Sequence, residues 1–470
     1  MKKRYLVLAI VLATILILPK YISTQVSSNI DQYITQLNNL NGYSAEVVEL
    51  NEGWFSSNGL VKVKFALASL GQGDDSPWSE SEPEVLLEFV SHHGPVIFTD
   101  GVDIGLINWD VVYAGDVLRS KLEWPEETNF YELSINSGLF GAADLEDRIV
   151  PFTVNDQSTN QNVVFSGYEG EGKQSSDEFS YEGKIETFQF TSDEGKFEVG
   201  DVYLSMTSEG EFIAAMNGEM FDSSALLTMD KLEILTANGT QQSIDLNKLS
   251  FEVDTNIDEK EELVNISQKM TVENVSAMNY DVSDFKLNIE TNRISLVFLK
   301  AYQEFAKSLS KLNENEMKQQ SMVFFQQNLL SLLKSQPQIN ISDFSATLPE
   351  GKFVAYSNNQ LIGIDALPTT PEDPKFWLEH TVSDTKLELD KGVANLFFSR
   401  YMISQLQLNP QTAGMSPEEI ELIAAQQVPN MIEGLKAQGF ITEEDDKLKM
   451  HFSLKDGAAM LNGNAIPLPY

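Results

Sequence analysis

The histidines are the side chains of this 470-residue chain best suited to acid–base or metal chemistry near neutral pH. His92 and His93 are adjacent and precede a Gly-Pro pair, whereas His380 and His451 stand alone in the sequence. Neighbouring residues on a strand point to opposite faces, so His92 and His93 are poorly placed to share one metal ion. We therefore predict no metal site and no cofactor, and a turn set by the Gly-Pro pair at the end of a strand.

Carboxylates are the second class of candidate, since paired Asp or Glu side chains can act as acid and base. The chain has 70 acidic residues, so no particular pair stands out. It has no cysteine, which excludes thiol catalysis, disulfides and thiolate metal sites. It also lacks a nucleophile elbow, a His-Glu-x-x-His motif, a Walker loop and a full dinucleotide fingerprint. We predict no catalytic residues and a protein that is not an enzyme; the alternative is a periplasmic hydrolase using carboxylates or His93.

The charge balance limits the partners. With 32 basic residues against the 70 acidic ones, the net charge is −38. Such a chain is repelled by nucleic acid and by anionic lipid headgroups. We therefore predict no nucleic-acid partner.

The N-terminal segment predicts a membrane anchor. Residues 1–4 are basic, and Tyr5 to Leu18 are almost wholly apolar. Extended to Ile22, the segment reaches about 27 Å at about 1.5 Å per residue, close to the roughly 30 Å bilayer core. No Ala-x-Ala cleavage site follows, so we favour an uncleaved single-pass signal-anchor over a cleaved signal peptide. The basic residues would keep the N-terminus cytoplasmic and export the body.

The secondary structure predicted along the chain is mostly strands, followed by helices. Residues 60–65, 84–89 and 284–289 alternate apolar and polar side chains, which is typical of antiparallel sheet with one buried face. From Ile294 onward, apolar residues recur at helical spacing. The predicted fold class is α+β, with an N-terminal transmembrane helix followed by a large antiparallel β-sheet body covered by amphipathic helices. The predicted segments are 1–4, a cytoplasmic tip; 5–22, the anchor; 23–40, an amphipathic linker helix; 41–292, an antiparallel β-rich region; 293–336, helical; 337–392, β-rich; 393–439, helical; and 440–470, a C-terminal β-hairpin.

The apolar helix stripes favour core packing. The alternative is that helices over an amphipathic sheet enclose an elongated hydrophobic groove, which would hold lipid. A long groove lined by Phe, Leu and Ile and open to solvent would favour lipid, whereas a filled core with an exposed apolar edge or helix would favour self-association.

Gly53, Trp54, Phe55, Ser56 and Ser57 form a second short motif. Two large aromatics after a glycine predict a buried anchor near a sheet corner; the other interpretation is an exposed aromatic pair for a partner. Near the C-terminus, Leu461-Asn462-Gly463 has the composition of a two-residue turn.

In their order and spacing, these motifs resemble the YdgA-like family of bacterial proteins of uncharacterised function. The matching positions are Gly53, Trp54, Phe55, Ser56, Ser57, His93, Gly94, Pro95, Asp456, Gly457, Leu461, Asn462 and Gly463. The resemblance implies an inner-membrane-anchored protein of a Gram-negative envelope with a periplasmic body, and it brings no catalytic residues. We therefore expect a non-enzymatic envelope protein that binds a partner, itself or lipid. The expected partners are the inner membrane through Tyr5–Ile22, a second copy of the chain, and a lipid or envelope protein.

Overall fold

The computed structural model divides the chain into two compact units. Unit 1 comprises Met1–Leu226 and Thr236–Gly239, and unit 2 comprises Leu227–Leu235 and Thr240–Tyr470. The structure describes residues 2–39, 43–65, 84–99, 101–156, 160–211, 214, 219–236, 242–277, 280–309, 314–409, 412 and 414–468, without the side chains of residues 2–16, 36, 39, 43, 65, 242 and 307. Both units are built mostly from antiparallel strands, as the alternating sequence pattern predicts.

Unit 1 is an antiparallel sheet with one long helix. Its helix is α1, Lys2–Asn39. Its strands are β1 Tyr43–Glu52, β2 Ser56–Phe65, β3 Glu84–His93, β4 Val96–Phe98, β5 Val102–Ile104, β6 Ile107–Tyr113, β7 Tyr131–Ser137, β8 Ala143–Ile149, β9 Phe152–Asp156, β10 Gln161–Phe165, β11 Tyr168–Gln174, β12 Glu178–Ser192 and β13 Gly195–Glu209. The strands pair in the order β1–β2–β3–β6–β7–β8–β11–β12–β13. The β9–β10 hairpin pairs with the second half of β12, and β4 and β5 form a small sheet of their own.

Helix α1 packs on the first three strands. Ile22, Val26 and Ile30 are spaced by four residues and therefore share one face of the helix. They are 9%, 3% and 3% exposed, and they form one buried cluster with Phe89 of β3. The apolar stripe of this helix thus belongs to the core of unit 1.

The predicted transmembrane anchor at residues 5–22 is wrong. In the part of the chain that the structure describes, no helix is both long enough and apolar enough to cross a membrane. The side chains of residues 5–16 lie outside the described residues, and from Pro19 onward α1 is amphipathic, with its apolar side against protein. The correction extends to everything that rested on the anchor: the transmembrane part of the fold class, the cytoplasmic tip, and the inner-membrane location with a periplasmic body.

In its described part, unit 2 combines antiparallel strands with five helices. Strand β14, Ser223–Thr236, contributes residues to both units. The other strands are β15 Gln242–Asp258, β16 Leu263–Ala277, β17 Tyr280–Ser295, β18 Gln338–Leu348, β19 Gly351–Leu361, β20 Thr381–Asp390, β21 Thr442–Glu444, β22 Lys447–Lys455, β23 Ala458–Leu461 and β24 Asn464–Ile466. The helices are α2 Leu296–Leu309, α3 Glu314–Lys334, α4 Pro374–His380, α5 Lys391–Leu408 and α6 Pro417–Ala437. Strands β15 to β20 pair in sequence order, and β20 then pairs with β22.

The helices of unit 2 cover its sheet. Val393 and Ala394 of α5 are fully buried in one cluster with Phe353 of β19 and Leu389 of β20, each 7% exposed. A capping box starts α6: the Ser416 hydroxyl accepts from the Glu419 N–H, and the Glu419 carboxylate accepts from the Ser416 N–H. Helices that pack on an antiparallel sheet are therefore present in this unit.

Candidate functional site

Two of the three short sequence motifs meet at one end of unit 1. Gly53, Trp54 and Phe55 connect β1 to β2, Ser56 and Ser57 are the first residues of β2, and His93 is the last residue of β3. The His93 backbone N–H donates to the Phe55 carbonyl oxygen at 2.8 Å. Strand pairing between β2 and β3 thus joins residues almost 40 positions apart in the sequence.

A buried polar cluster lies beneath this junction. Ser23 of α1, Ser57, Ser91 and His93 are each at most 1% exposed, and we call them the serine–histidine cluster. The Ser23 and Ser57 hydroxyls lie 3.5 Å apart, and the Ser91 hydroxyl lies 3.1 Å from His93 Nε2. His93 Nδ1 faces the Trp54 carbonyl oxygen at 3.4 Å. Because only a donor can face a carbonyl, Nδ1 carries the proton, and Nε2 then accepts from Ser91.

The serine–histidine cluster is poorly suited to catalysis. A Ser–His nucleophile needs access to substrate and an acid that orients the imidazole. His93 is 1% exposed, and within the described residues the hydrogen bonds of its imidazole ring go to Ser91 and to the Trp54 backbone, not to a carboxylate. Burial is the main reason that the pKa of His93 is lowered, so the ring is neutral at pH 7. The hydrolase alternative thus loses the support of its named residue, and the cluster instead holds α1, β2 and β3 together.

Gly94 is required by a close backbone contact. A Cβ at this position would lie 1.6 Å from the Gly105 carbonyl oxygen. The Gly94 N–H donates to the Leu106 carbonyl oxygen at 2.7 Å, and the Gly105 N–H donates to the Pro95 carbonyl oxygen at 3.3 Å. The sequence prediction of a Gly-Pro turn after a strand is confirmed, since β3 ends at His93 and β4 begins directly after Pro95.

The aromatic pair of the motif at residues 53–57 is exposed. Trp54 and Phe55 are 51% and 48% exposed, so the prediction of a buried anchor is wrong. The reason is that Gly53 and the chain reversal before β2 direct both rings toward solvent. The backbone carbonyl oxygens of Phe55 and Trp54 contact His93 and hold the motif in place on its buried side.

The third motif lies in unit 2 and is structural. Asp456 and Gly457 have φ values of 52° and 71° between β22 and β23, and Asn462 and Gly463 have φ values of 49° and 80° between β23 and β24. Positive φ at both central residues is typical of type I′ hairpin turns, which favour Asn, Asp and Gly. Leu461 is buried, and the Asn462 amide donates to the Gly439 carbonyl oxygen at 2.9 Å.

His380 and His451 have ordinary partners. His451 Nε2 lies 3.0 Å from an Asp384 carboxylate oxygen, and Tyr356 donates to the same carboxylate at 2.5 Å. The Tyr356 hydroxyl and then His451 lower the pKa of Asp384. His380 Nδ1 contacts the Ile362 carbonyl oxygen at 2.8 Å. The described residues hold no group of three or more His, Asp or Glu side chains placed to bind a metal ion.

An apolar face that the sequence analysis did not identify crosses four strands of unit 1. Cross-strand partners point to the same side of a sheet, and the register pairs Phe152 with Phe165, Phe165 with Phe188, and Phe190 with Phe197. We call the following eight residues of β9, β10, β12 and β13 the apolar face: Phe152, Val154, Val163, Phe165, Phe188, Phe190, Phe197 and Val199.

A row of rings runs across this face. The ring centroids are 5.0 Å apart for Phe152 and Phe165, 6.3 Å for Phe165 and Phe188, and 6.1 Å for Phe188 and Phe197. The opposite side of the same strands is mainly polar, with Gln189, Thr191 and the Lys196–Glu198 ion pair among its residues. These four strands are therefore amphipathic across the sheet.

The apolar face is only partly covered. Among its eight residues only Phe165, 9% exposed, is buried, and the others are partly exposed. In the described part of unit 1, the one long helix packs on β1, β2 and β3. The sequence signal for this face is a Phe or Val at the first and third positions of 152–154, 163–165, 188–190 and 197–199, but it does not show that the four segments are neighbours.

Comparisons with known proteins place the chain in a family without an assigned activity. A family model described as a bacterial protein of unknown function (DUF945) matches residues 1–469. No curated protein and no solved structure matches the chain.

Proposed function

Because the chain belongs to this bacterial family of unknown function, we propose its function from geometry: it is a non-enzymatic protein that binds the hydrocarbon chain of a lipid on the apolar face of unit 1. The single observation that carries the proposal is the row of Phe and Val side chains on four adjacent strands, with only Phe165 buried. The buried, acid-free environment of His93 supports the non-enzymatic part.

The chemistry of the face favours hydrocarbon over a polar ligand. All eight side chains are Phe or Val, which have no hydrogen-bonding group. The backbone groups of β10 and β12 are occupied by neighbouring strands on both sides. The binding free energy of a ligand on this face therefore comes mainly from the removal of apolar surface from water and from contact with the rings.

The net charge sets the preferred headgroup. At −38, the chain repels an anionic headgroup, whereas a zwitterionic or uncharged one avoids this cost. We therefore expect a zwitterionic lipid to bind more tightly than an anionic lipid with the same chain. This difference should shrink as the salt concentration rises.

The expected affinity is modest. A chain lying on an open face buries about half of its methylenes, so about eight of them contribute about 0.8 kcal/mol each. The resulting roughly 6 kcal/mol corresponds to a Kd in the range of about 10–100 µM. Binding should therefore be measurable by titration with a soluble lipid probe.

The test is a fluorescence titration in which the full chain is added, up to concentrations above the expected Kd, to a fixed amount of NBD-labelled lysophosphatidylcholine held below its critical micelle concentration. Phe190→Asn places a polar group on the apolar face, and Thr191→Asn places the same residue on the opposite side of the same strand. We expect Phe190→Asn to weaken binding about tenfold, and Thr191→Asn to leave it unchanged. Circular dichroism on both variants verifies that the sheet is intact.

Two results would overturn the proposal. One is saturable binding that is equal in the two variants, because the probe would then occupy another surface. The other is a wild-type oligomer that dissociates only in Phe190→Asn while neither protein binds the probe, which would assign the face to a second copy of the chain.

A further inference from the structure

The hairpin after the Gly94–Pro95 turn carries an exposed strand edge. Strands β4 and β5 pair only with each other in the described part of the sheet, with Val96 opposite Ile104 and Phe98 opposite Val102. Val102 and Ile104 are 66% and 73% exposed, whereas Ile97 on the other side of the hairpin is 4% exposed. The hairpin is thus fixed on one face and open on the other.

The hydrogen-bond alternation determines which backbone groups face outward. In an antiparallel pair, hydrogen-bonded and non-hydrogen-bonded positions alternate. The Gly105 N–H donates to the Pro95 carbonyl oxygen, so Asp103, two residues away, directs its backbone groups toward β4. The N–H and C=O groups of Val102 and Ile104 therefore point away from β4, along the outer edge of β5.

An edge of this kind is a template for another strand. Unpaired N–H and C=O groups beside exposed aliphatic side chains allow an extended segment to add by main-chain hydrogen bonds. The charge of Asp103 then determines which kind of extended segment can pair with this edge. In antiparallel self-pairing that uses all of β5, Asp103 would face Asp103 of the second copy, and like charges directly opposite each other are destabilising.

We propose that the outer edge of β5 binds an extended segment of a partner protein, with Lys or Arg opposite Asp103 and an apolar residue on each side of it. Position 103 would be a non-hydrogen-bonded pair with that segment, in which side chains approach most closely. The net charge of −38 also favours a basic segment at longer range. This site is separate from the apolar face and does not depend on lipid binding.

The test uses fluorescence polarisation with the full chain and three labelled nine-residue peptides. Each peptide has a central apolar-x-apolar triplet flanked by threonine. In the first x is Lys, in the second it is Glu, and the third is the Lys peptide with N-methyl groups at the backbone positions that would donate to the edge. We expect the Lys peptide to bind at least tenfold more tightly than the other two.

The matched chain variant is Asp103→Lys, which exchanges the charge at an exposed position. It should reverse the preference, so that the Glu peptide binds more tightly than the Lys peptide. Three results would overturn the proposal: no binding of the Lys peptide at roughly 1 mM, equal binding of the N-methylated peptide, or an unchanged preference in Asp103→Lys.

Discussion

Gly94→Ala should destabilise unit 1 strongly because the new methyl group has no room. Its Cβ would lie 1.6 Å from the Gly105 carbonyl oxygen, whereas carbon and oxygen normally approach to roughly 3.3 Å. The segment at Gly105 and Leu106 must therefore move by more than about 1.5 Å. That movement breaks the hydrogen bonds from Gly94 to Leu106 at 2.7 Å, from Gly105 to Pro95 at 3.3 Å, and from Leu106 to Ser137 at 2.7 Å. At about 0.5–1.5 kcal/mol each, the loss is about 2–4 kcal/mol.

The matched control is Gly101→Ala in the same region of the chain. A Cβ at Gly101 meets nothing within 4 Å, so its effect should stay within about 0.5 kcal/mol. Urea unfolding followed by tryptophan fluorescence reports on this region because Trp109 lies in β6, next to the displaced segment. Hydrogen exchange of the backbone amides of β3 and β6 then shows whether the loss of stability is confined to these strands. Equal unfolding curves for the two variants would refute the close contact at Gly94.

Three further predictions concern other parts of the chain. Gly434→Ala in α6 should stabilise unit 2 by about 0.5–1 kcal/mol in thermal unfolding, because nothing lies within 4 Å of its Cβ and glycine disfavours helix; a loss would contradict this. Ser416→Ala should cost about 1 kcal/mol because it removes the cap on the Glu419 N–H, and an unchanged unfolding midpoint would argue against the capping box. The pKa of His93 is lowered in the folded state, so below the ordinary value of 6.5 the unfolded chain binds more protons. Unit 1 should therefore lose stability as the pH falls below about 6.5, and His93→Asn should flatten this part of the stability profile.

Local sequence patterns predict much of the secondary structure. Alternation in residues 60–65 and 84–89 is confirmed by β2 and β3, and the helical spacing after Ile294 by α2, which begins at Leu296. The Asn-Gly turn at Asn462 is confirmed as well, because two-residue turns depend on the residues that form them. These features need no information from distant parts of the chain.

Features that depend on non-local contacts were missed or wrong. Ile22 and Val26 lie on an apolar helix stripe whether the helix is interpreted as a membrane anchor or as part of a protein core. Only their contact with Phe89 shows that the stripe packs on a sheet. Hydrophobicity suggested burial of Trp54, but chain reversal exposes it. His451 stands alone in the sequence because its partner, Asp384, is 67 positions away. The apolar face likewise depends on the register between separate hairpins.

The most direct test of the central claim is to map where a lipid chain lies on the protein. A phosphatidylcholine analogue with a diazirine in its acyl chain would be bound to the full chain, photolysed, and located by mass spectrometry of peptides. Lipid binding on the apolar face predicts adducts concentrated in β9, β10, β12 and β13, at Phe152, Phe165, Phe188 and Phe197, and displaced by unlabelled lipid. Adducts spread over the surface in proportion to exposure, or located on α2 and α3 and absent from these four strands, would contradict it.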